Sequence, residues 1–251
     1  MTFERYKSPY LFAGLGIFLI VLTIIIIAIG PIPQDNDYHN FADNRTILGI
    51  QNFWNVISNV PFAIVGIIGI NMCFRYKLEG ALFSWGVFFT GILFVPIGSA
   101  YYHLFPNNQT LVWDRLPMTI SFMALFAALL SEAIDLNLEK KILIPSLIIG
   151  IASVVYWVLA DDLRPYGVVQ FGTLAALPFI YFFSTLKYPG RDWLMYGLVF
   201  YISAKVFELA DSAIFSLFGG AISGHSLKHV VAAASTFAIF EMLKSRRLEL
   251  R

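Results

Sequence analysis

The sequence predicts an all-α protein, a polytopic bundle of transmembrane helices. Of its 251 residues, 58% are hydrophobic and only 13% are charged, whereas about 25% of a soluble globular domain is charged. The mean hydropathy is +0.73. Apolar residues run continuously over the roughly 20 positions that a spanning helix needs, without the alternation of a membrane β-barrel. This composition excludes a disordered chain, a coiled coil and an ordinary soluble enzyme.

Eight apolar stretches are long enough to span a bilayer. The first is too long for the apolar region of a signal peptide and no cleavage site follows it, so we expect a retained helix. The longest connector, roughly residues 31–52, is expected to fold over one mouth of the bundle. The predicted spans lie at about residues 9–30, 53–74, 81–104, 113–134, 141–160, 166–186, 193–212 and 223–243.

The distribution of basic residues predicts the orientation, because cytoplasmic loops are enriched in Lys and Arg. With both termini in the cytoplasm, the opposite side holds only Arg45, Arg115 and Arg164, and two lysines, Lys205 and Lys228, lie within spans. The cytoplasmic segments then hold Arg5, Lys7, Arg75, Lys77, Lys140, Lys141, Lys187, Arg191, Lys244, Arg246, Arg247 and Arg251. The formal net charge of +1 gives no indication of a nucleic-acid partner. A single cysteine excludes an intrachain disulfide and a cysteine-based zinc site.

Polar residues inside three of the spans indicate a functional site, since ionisable groups in a membrane are costly. Ser99 and His103 are spaced i,i+4 at the end of the third span and share one helix face. Asp114 is expected in or just before the first turn of the fourth span, where the positive helix end favours a carboxylate. His225 and His229, again i,i+4, open the eighth span with a spacing that lets two imidazoles hold one metal ion.

The predicted topology brings these five residues to one end of the bundle. The third span ends, and the fourth and eighth begin, at the non-cytoplasmic face. Three histidines with an open position for water are typical of a catalytic rather than a structural zinc site. We therefore predict that His103, His225 and His229 bind a metal ion. Taken singly, the histidine pair is also consistent with coincidence and Asp114 with a helix cap, and we expect the fourth histidine, His39, to be solvated.

The same motifs resemble those of a known family. The pattern is S-x-x-x-H at Ser99 and His103, an aspartate at Asp114 in a D-x-L-P-M setting, and H-x-x-x-H in the last span. Residues 52–59, N-F-W-N-V-I-S-N, are similar to an E-F-W-N-x-x-S-N opening helix. Together they resemble the alkaline ceramidase family, within a wider group of membrane hydrolases that includes Per1-type proteins and the progestin/adipoQ receptors. The resemblance runs from roughly residue 35 to residue 243.

This resemblance implies an architecture and an activity. Residues 1–251 would form one membrane domain, with an extra helix at 9–30 before a seven-helix catalytic core at 53–243. The enzyme would be a zinc-dependent hydrolase that cleaves the amide bond of a ceramide-like membrane lipid into a sphingoid base and a fatty acid, with metal-activated water as nucleophile. The three histidines would bind Zn²⁺, and Ser99 and Asp114 would be the catalytic residues.

A calcium site is only weakly supported. Eukaryotic members carry an acidic D-W-C-E-x-N-Y segment, associated with Ca²⁺, just before the first core helix. Here the corresponding residues 38–45 read Y-H-N-F-A-D-N-R, and Asn52 replaces the glutamate of E-F-W-N. The carboxylates of Asp35, Asp37 and Asp43 are candidate ligands for a cation, but a solvated acidic loop is the favoured interpretation.

Several other functions stay open at this stage. Lys205 and Glu208 are expected to form a structural pair in the seventh span near Asp211, in preference to a catalytic one or to a retinal Schiff base on the lysine. A lipid-responsive, receptor-like membrane protein with weak hydrolase activity is the main alternative to an enzyme. A small transporter is disfavoured because the sequence has no internal repeat.

Overall fold

The computed structural model describes residues 9–76, 78–184 and 188–249, and within them the chain is helical with no β-strand. Two short 3₁₀ turns and a π-helical turn at Val168–Gly172 supplement the α-helices. The α-helices are α1 (Pro9–Ile29), α2 (Phe53–Ile57), α3 (Val60–Arg75), α4 (Leu82–Leu104), α5 (Asn108–Ile134), α6 (Glu139–Ala160), α7 (Arg164–Gly167), α8 (Thr173–Phe183), α9 (Asp192–Leu209), α10 (Asp211–Leu217) and α11 (Gly224–Glu249).

Among the described residues, six helical segments are long and apolar enough to cross a membrane, which is compatible with a multi-pass membrane protein. They are Phe53–Arg75, Leu82–Leu104, Asn108–Ile134, Leu136–Ala160, Arg164–Phe183 and Gly224–Arg246. Helix α9 carries three charged residues over its length, and α1 contributes only the shorter apolar stretch Gly16–Ile26. The all-α membrane class is therefore supported, while the eight spans and the seven-helix core stay predictions.

The orientation in the membrane also stays a prediction. Five of the basic residues used to infer it lie outside the described residues: Arg5, Lys7, Lys77, Lys187 and Arg251. We therefore refer below to the histidine end of the bundle, defined as the end that carries His103, His225 and His229.

The long helices form a ring around a central cavity. Helix α4 packs between α3 and α5, α11 packs along α9 and α3, and α8 closes the ring by contacting both α5 and α9. Helices α6 and α1 pack outside this ring, against α5 and α8 respectively. The ring places α4, α5 and α11, which carry the predicted site residues, on the same cavity.

Helix α5 begins earlier than predicted, which corrects the role expected of Asp114. The Asn107 side chain accepts hydrogen bonds from the backbone of Gln109 and Thr110, at 2.9 and 3.0 Å, in a capping box. Because this cap starts the helix at Asn108, Asp114 lies in the second turn and not at the positive helix end. A helix-terminus effect therefore does not explain its carboxylate.

The connector at residues 31–52 covers the histidine end, as expected. The backbone N–H of Gln34 donates to Asp161 Oδ1 at 3.0 Å, and that of Ala42 donates to Asp211 Oδ2 at 3.0 Å. Near its end, Asn52 Nδ2 donates to the carbonyl of His103 at 2.7 Å. These bonds attach the connector to the loops that surround the site.

A buried ion pair joins α5 to α11 at the other end of the bundle. Arg246 Nη1 and Nη2 donate to Glu132 Oε1 and Oε2 at 2.8 and 2.9 Å, and both side chains are almost fully buried. The indole of Trp85 donates to the same carboxylate at 2.8 Å. This bidentate pair holds the register between the two helices that carry Asp114 and the histidine pair.

Candidate active site

Three histidines meet where the last turn of α4 faces the first turns of α11. One ligand nitrogen from each of His103, His225 and His229 lies within 4.8 Å of the other two. Their ring centroids are 4.9 to 5.0 Å apart, and the side chains are 1 to 5% exposed. The predicted ligands are thus brought together as one buried cluster.

The hydrogen bonding of these rings fits a metal ion. Nδ1 of His103 and Nε2 of His225 are buried without a hydrogen-bond partner among the described residues. Leaving such an atom unpaired costs about 1–3 kcal/mol. Nδ1 of His229 is already engaged, 2.8 Å from Ser58 Oγ, which leaves Nε2 as its available nitrogen. Three convergent imidazole nitrogens of this kind are a ligand set that suits Zn²⁺.

Residues of the N-F-W-N-V-I-S-N stretch form hydrogen bonds to the histidine cluster and to α11. Ser58 and Asn59, from the N-F-W-N-V-I-S-N stretch, both contact Nδ1 of His229, Asn59 at 3.2 Å. Asn55 of the same stretch accepts a hydrogen bond from Ser226 on α11 at 2.9 Å. The sequence shows these residues as part of a motif but indicates no role for them. Their contacts attach the segment to α11 and to one ring of the histidine cluster.

Ser99 and Asp114 lie together beside the cluster. Ser99 is 1% exposed and lies beside the Asp114 carboxyl group, close enough to interact with it. Both residues, with His229, line the same cavity. A glycine makes this approach possible, because a Cβ on Gly98 would lie 2.0 Å from the carbonyl oxygen of Trp113. All five predicted site residues therefore gather at one end of the bundle.

A largely apolar cavity of about 510 Å³ extends from these residues into the bundle. Its volume falls within the range of small-molecule sites. The polar end carries Ser99, Asp114 and His229, while the walls are aliphatic and aromatic. Wall residues include Phe62, Phe88, Ile92, Phe122, Leu174 and Ile239. The cavity is therefore polar at the end that carries the histidine cluster and apolar beyond it.

The predicted pairing of Lys205 with Glu208 is present within a larger cluster. Lys205 Nζ donates to Glu208 Oε2, and Lys228 Nζ donates to Oε1 at 2.5 Å. The Tyr38 hydroxyl donates to Oε1 as well, at 3.0 Å. Asp211 has a different role, since its Oδ1 accepts the backbone N–H of His225 at 2.7 Å and thereby caps α11. Both lysines of this cluster line the cavity.

The connector contains His39, which was expected to be solvated, and three aspartates that were candidate ligands for a calcium ion. His39 is half-buried rather than solvated, with Nδ1 2.8 Å from Tyr102 Oη and Nε2 2.9 Å from Asn108 Oδ1. Asp43 is buried in an ion pair with Arg45 at 2.5 Å. Asp35 and Asp37 accept hydrogen bonds from their own loop. Nothing among the described residues therefore adds support for the calcium site.

A comparison with protein-family models matches residues 46–207 to the ceramidase family. The chain belongs to the ceramidase family. The matched region contains Ser99, His103 and Asp114 but ends before α11, so that the inclusion of His225 and His229 rests on their geometry. A search of curated proteins finds no match. Membership in the ceramidase family supports a hydrolase that acts on an amide bond of a membrane lipid.

Proposed function

We propose that the protein is a zinc-dependent intramembrane ceramidase, which hydrolyses the amide bond of a ceramide-like lipid to a sphingoid base and a fatty acid. The observation that carries this proposal is the position of the His103–His225–His229 cluster at the polar end of a lipid-sized apolar cavity. Since a polar cluster in a bundle interior is costly, its coincidence with a tail-sized cavity favours chemistry on a lipid.

Zinc is the proposed metal because the cluster offers three neutral imidazoles and no thiolate, the ligand set of catalytic zinc sites. Bound there, a zinc ion would supply Lewis acidity, which lowers the pKa of water toward about 7 and polarises a carbonyl group. Family membership supports amide hydrolysis, and the zinc ion and the mechanism are our proposal.

Asp114 is the proposed general base. Its carboxylate faces the cavity at the level of the histidines, beside the Ser99 hydroxyl. In this position it can hold the proton removed from water and return it to the amine that leaves. Groups that transfer protons in this way contribute about 10²–10⁴ in rate.

Ser99 is the proposed donor to the tetrahedral oxyanion. Its hydroxyl is buried on the same face of α4 as His103, one turn away, and lines the cavity. A donor aimed at developing negative charge stabilises the transition state by about 2.7–4 kcal/mol. The apolar walls exclude bulk water from the tail and strengthen these polar interactions.

The proposal is tested with the purified full-length protein. We expect about one zinc per chain by elemental analysis, hydrolysis of a panel of N-acyl sphingoid lipids, and loss of turnover with a zinc chelator. His103→Ala and His225→Ala should lose the metal. His39→Ala is the matched control, since this fourth histidine lies outside the cluster, and it should keep the metal. Full zinc and full turnover in both cluster variants would contradict the assignment.

A further inference from the structure

The cavity reaches the protein surface on one side. Among the described residues of its lining, the exposed ones are Ile29, Ile32 and Phe171, whose exposed fractions are 60%, 40% and 52%. We call the surface formed by these three residues the side opening. All three side chains are large and apolar, and an exposed apolar surface of this kind suits contact with the hydrocarbon of a membrane. The side opening therefore connects the cavity with the bilayer.

Helix α1 forms the part of the cavity wall that leads to the side opening. Leu22 and Ile26 line the cavity one turn apart on one face of α1, and Ile29 continues the same face. A hydrogen bond holds this end of the helix in place, since Arg164 Nη1 donates to the carbonyl oxygen of Ile26 at 3.1 Å. A helix that precedes the predicted seven-helix core thus supplies one wall of the cavity.

The π-helical turn beside α1 lies between two glycines that packing does not require. Gly167 has regular helical angles (φ −59°, ψ −39°), and a Cβ there would meet only Phe171, at 4.0 Å. A Cβ on Gly172 would lie 3.7 Å from Leu22, an ordinary van der Waals distance. Glycine is less favourable than alanine in a helix, and π-helical turns often occur at functional sites. Gly167, which lines the cavity, therefore leaves space open next to Phe171.

The volume of the cavity suits one long hydrocarbon chain. A methylene group occupies about as much space as a water molecule, roughly 30 Å³, so that 510 Å³ accommodates about 17 methylene groups. A ceramide-like lipid carries two chains of about this size. With its amide bond at the histidine cluster, one chain fills the cavity and the other has to extend beyond it.

We infer that α1 belongs to the substrate site: Leu22, Ile26 and Phe171 contact one chain of a two-chain lipid where that chain passes through the side opening into the bilayer, while the other chain lies in the cavity. This inference rests on the proposed function and specifies how the same site holds its substrate. Because membrane hydrocarbon is as apolar as these side chains, the contact adds little affinity. The side opening selects substrates by shape.

Three lipids with the same amide linkage provide the test. N-oleoylsphinganine has two long chains, N-oleoylserinol lacks the long sphingoid chain, and N-acetylsphinganine lacks the long acyl chain. Both kcat/KM and the dissociation constant are measured for each lipid with the zinc-loaded full chain in detergent micelles. Gly167→Leu should narrow the side opening. Gly16→Leu is the matched control, because Gly16 of α1 also has no atom within 4 Å of an added Cβ and does not line the cavity.

A narrowed side opening should exclude the lipid with two long chains. In Gly167→Leu we expect kcat/KM for N-oleoylsphinganine to fall at least about tenfold relative to one of the single-chain lipids, the size of steric discrimination in an apolar pocket. The single-chain lipid that keeps its wild-type value identifies the chain that lies in the cavity. Ile26→Trp should produce the same selectivity from the α1 side. Its control is Ile24→Trp, at a 61% exposed position of α1 outside the cavity lining.

The outcomes separate this inference from the proposed function. An equal loss for all three lipids in Gly167→Leu and Ile26→Trp, or values that match those of the two controls, would overturn the role of the side opening and leave the ceramidase proposal standing. Selectivity in Gly167→Leu but not in Ile26→Trp would remove α1 from the substrate site. If one of these variants does not fold, the other decides. Selective loss of binding of the two-chain lipid, without hydrolysis of any lipid by the wild type, would support the side opening and contradict the ceramidase proposal.

Discussion

Removing the Ser58 hydroxyl should weaken metal binding although Ser58 is not a metal ligand. Its Oγ lies 2.8 Å from Nδ1 of His229 and 3.4 Å from the carbonyl oxygen of Asn55. The hydroxyl can therefore donate to that carbonyl while it accepts a hydrogen from Nδ1. This arrangement favours the tautomer with the ring hydrogen on Nδ1, which leaves Nε2 free to bind a metal ion. Fixing the tautomer is the usual function of such a hydrogen-bond partner.

The expected loss of zinc affinity follows from the hydrogen-bond partners that Nδ1 of His229 keeps in Ser58→Ala. Without the hydroxyl, the N–H at Nδ1 faces the amide nitrogen of Asn59 at 3.2 Å, which is itself a donor and is committed to Asn55 O at 2.7 Å. The ring then loses the partner that fixes its tautomer. Partners of this kind change metal affinity by about 10–100-fold, equivalent to about 1.4–2.7 kcal/mol.

Competition with a fluorescent zinc chelator measures this change on the purified protein. Ser203→Ala is the matched control, because Ser203 is half-buried on α9 and its hydroxyl donates to the carbonyl of Val199 in its own helix. The effect should also depend on His229. In a His229→Ala background, Ser58→Ala should cause no further loss of affinity.

Two results would refute this reasoning. An apparent zinc Kd for Ser58→Ala within twofold of the Ser203→Ala value would show that the hydroxyl does not orient the ring. An equal loss in the presence and absence of the His229 imidazole would show that Ser58 acts through the general packing of α3 against α11 and not through Nδ1.

Three further predictions concern the reaction, the packing and the pH dependence of stability. Asp114→Asn should keep one zinc per chain and lose at least about 10²-fold in turnover, as expected for a general base; unchanged turnover would contradict that role. Gly98→Ala should lower stability by about 1–3 kcal/mol through overpacking, whereas Gly86→Ala, whose Cβ would lie 3.7 Å from its nearest neighbour, should not; thermal unfolding compares the two. Arg164 holds the pKa of Asp162 down at about 2, so the stabilisation from this pair is present above pH 4 and is lost as the pH falls toward 2; Asp162→Asn should show a smaller drop in unfolding temperature over that interval than the wild type.

The histidine cluster could be predicted because two helical spacings and one topological argument fix it. Residues at i and i+4 share a helix face wherever the helix begins or ends, so the pairing of His225 with His229 does not depend on the exact bounds of α11. Counting the helices that lead to His103 then determined which end of the bundle it reaches. Neither step required knowledge of the packing angles.

Other features depend on tertiary packing and could not be read from the chain. The pairing of Lys228 with Glu208 joins residues twenty positions apart on separate helices, and no local spacing indicates it. The prediction of a solvated His39 is wrong for the same reason, since its partners Tyr102 and Asn108 approach it only when the connector folds over the histidine end. The N-F-W-N-V-I-S-N motif was visible, but its role required the contact between Ser58 and His229.

The site is divided between two sets of helices, and this division explains the distribution of the supporting contacts. Helices α4 and α5 carry His103, Ser99 and Asp114, while α11 carries the histidine pair. The histidine cluster therefore forms only if α11 keeps a fixed position relative to α4. At the histidine end that position is maintained by Ser58 and by Asn55, which bond to α11. At the other end the buried bidentate Glu132–Arg246 pair performs the same function. A buried pair of this kind is weak evidence for added stability, because desolvation offsets much of the attraction, and a role in fixing the register of α11 against the reaction centre is consistent with its placement.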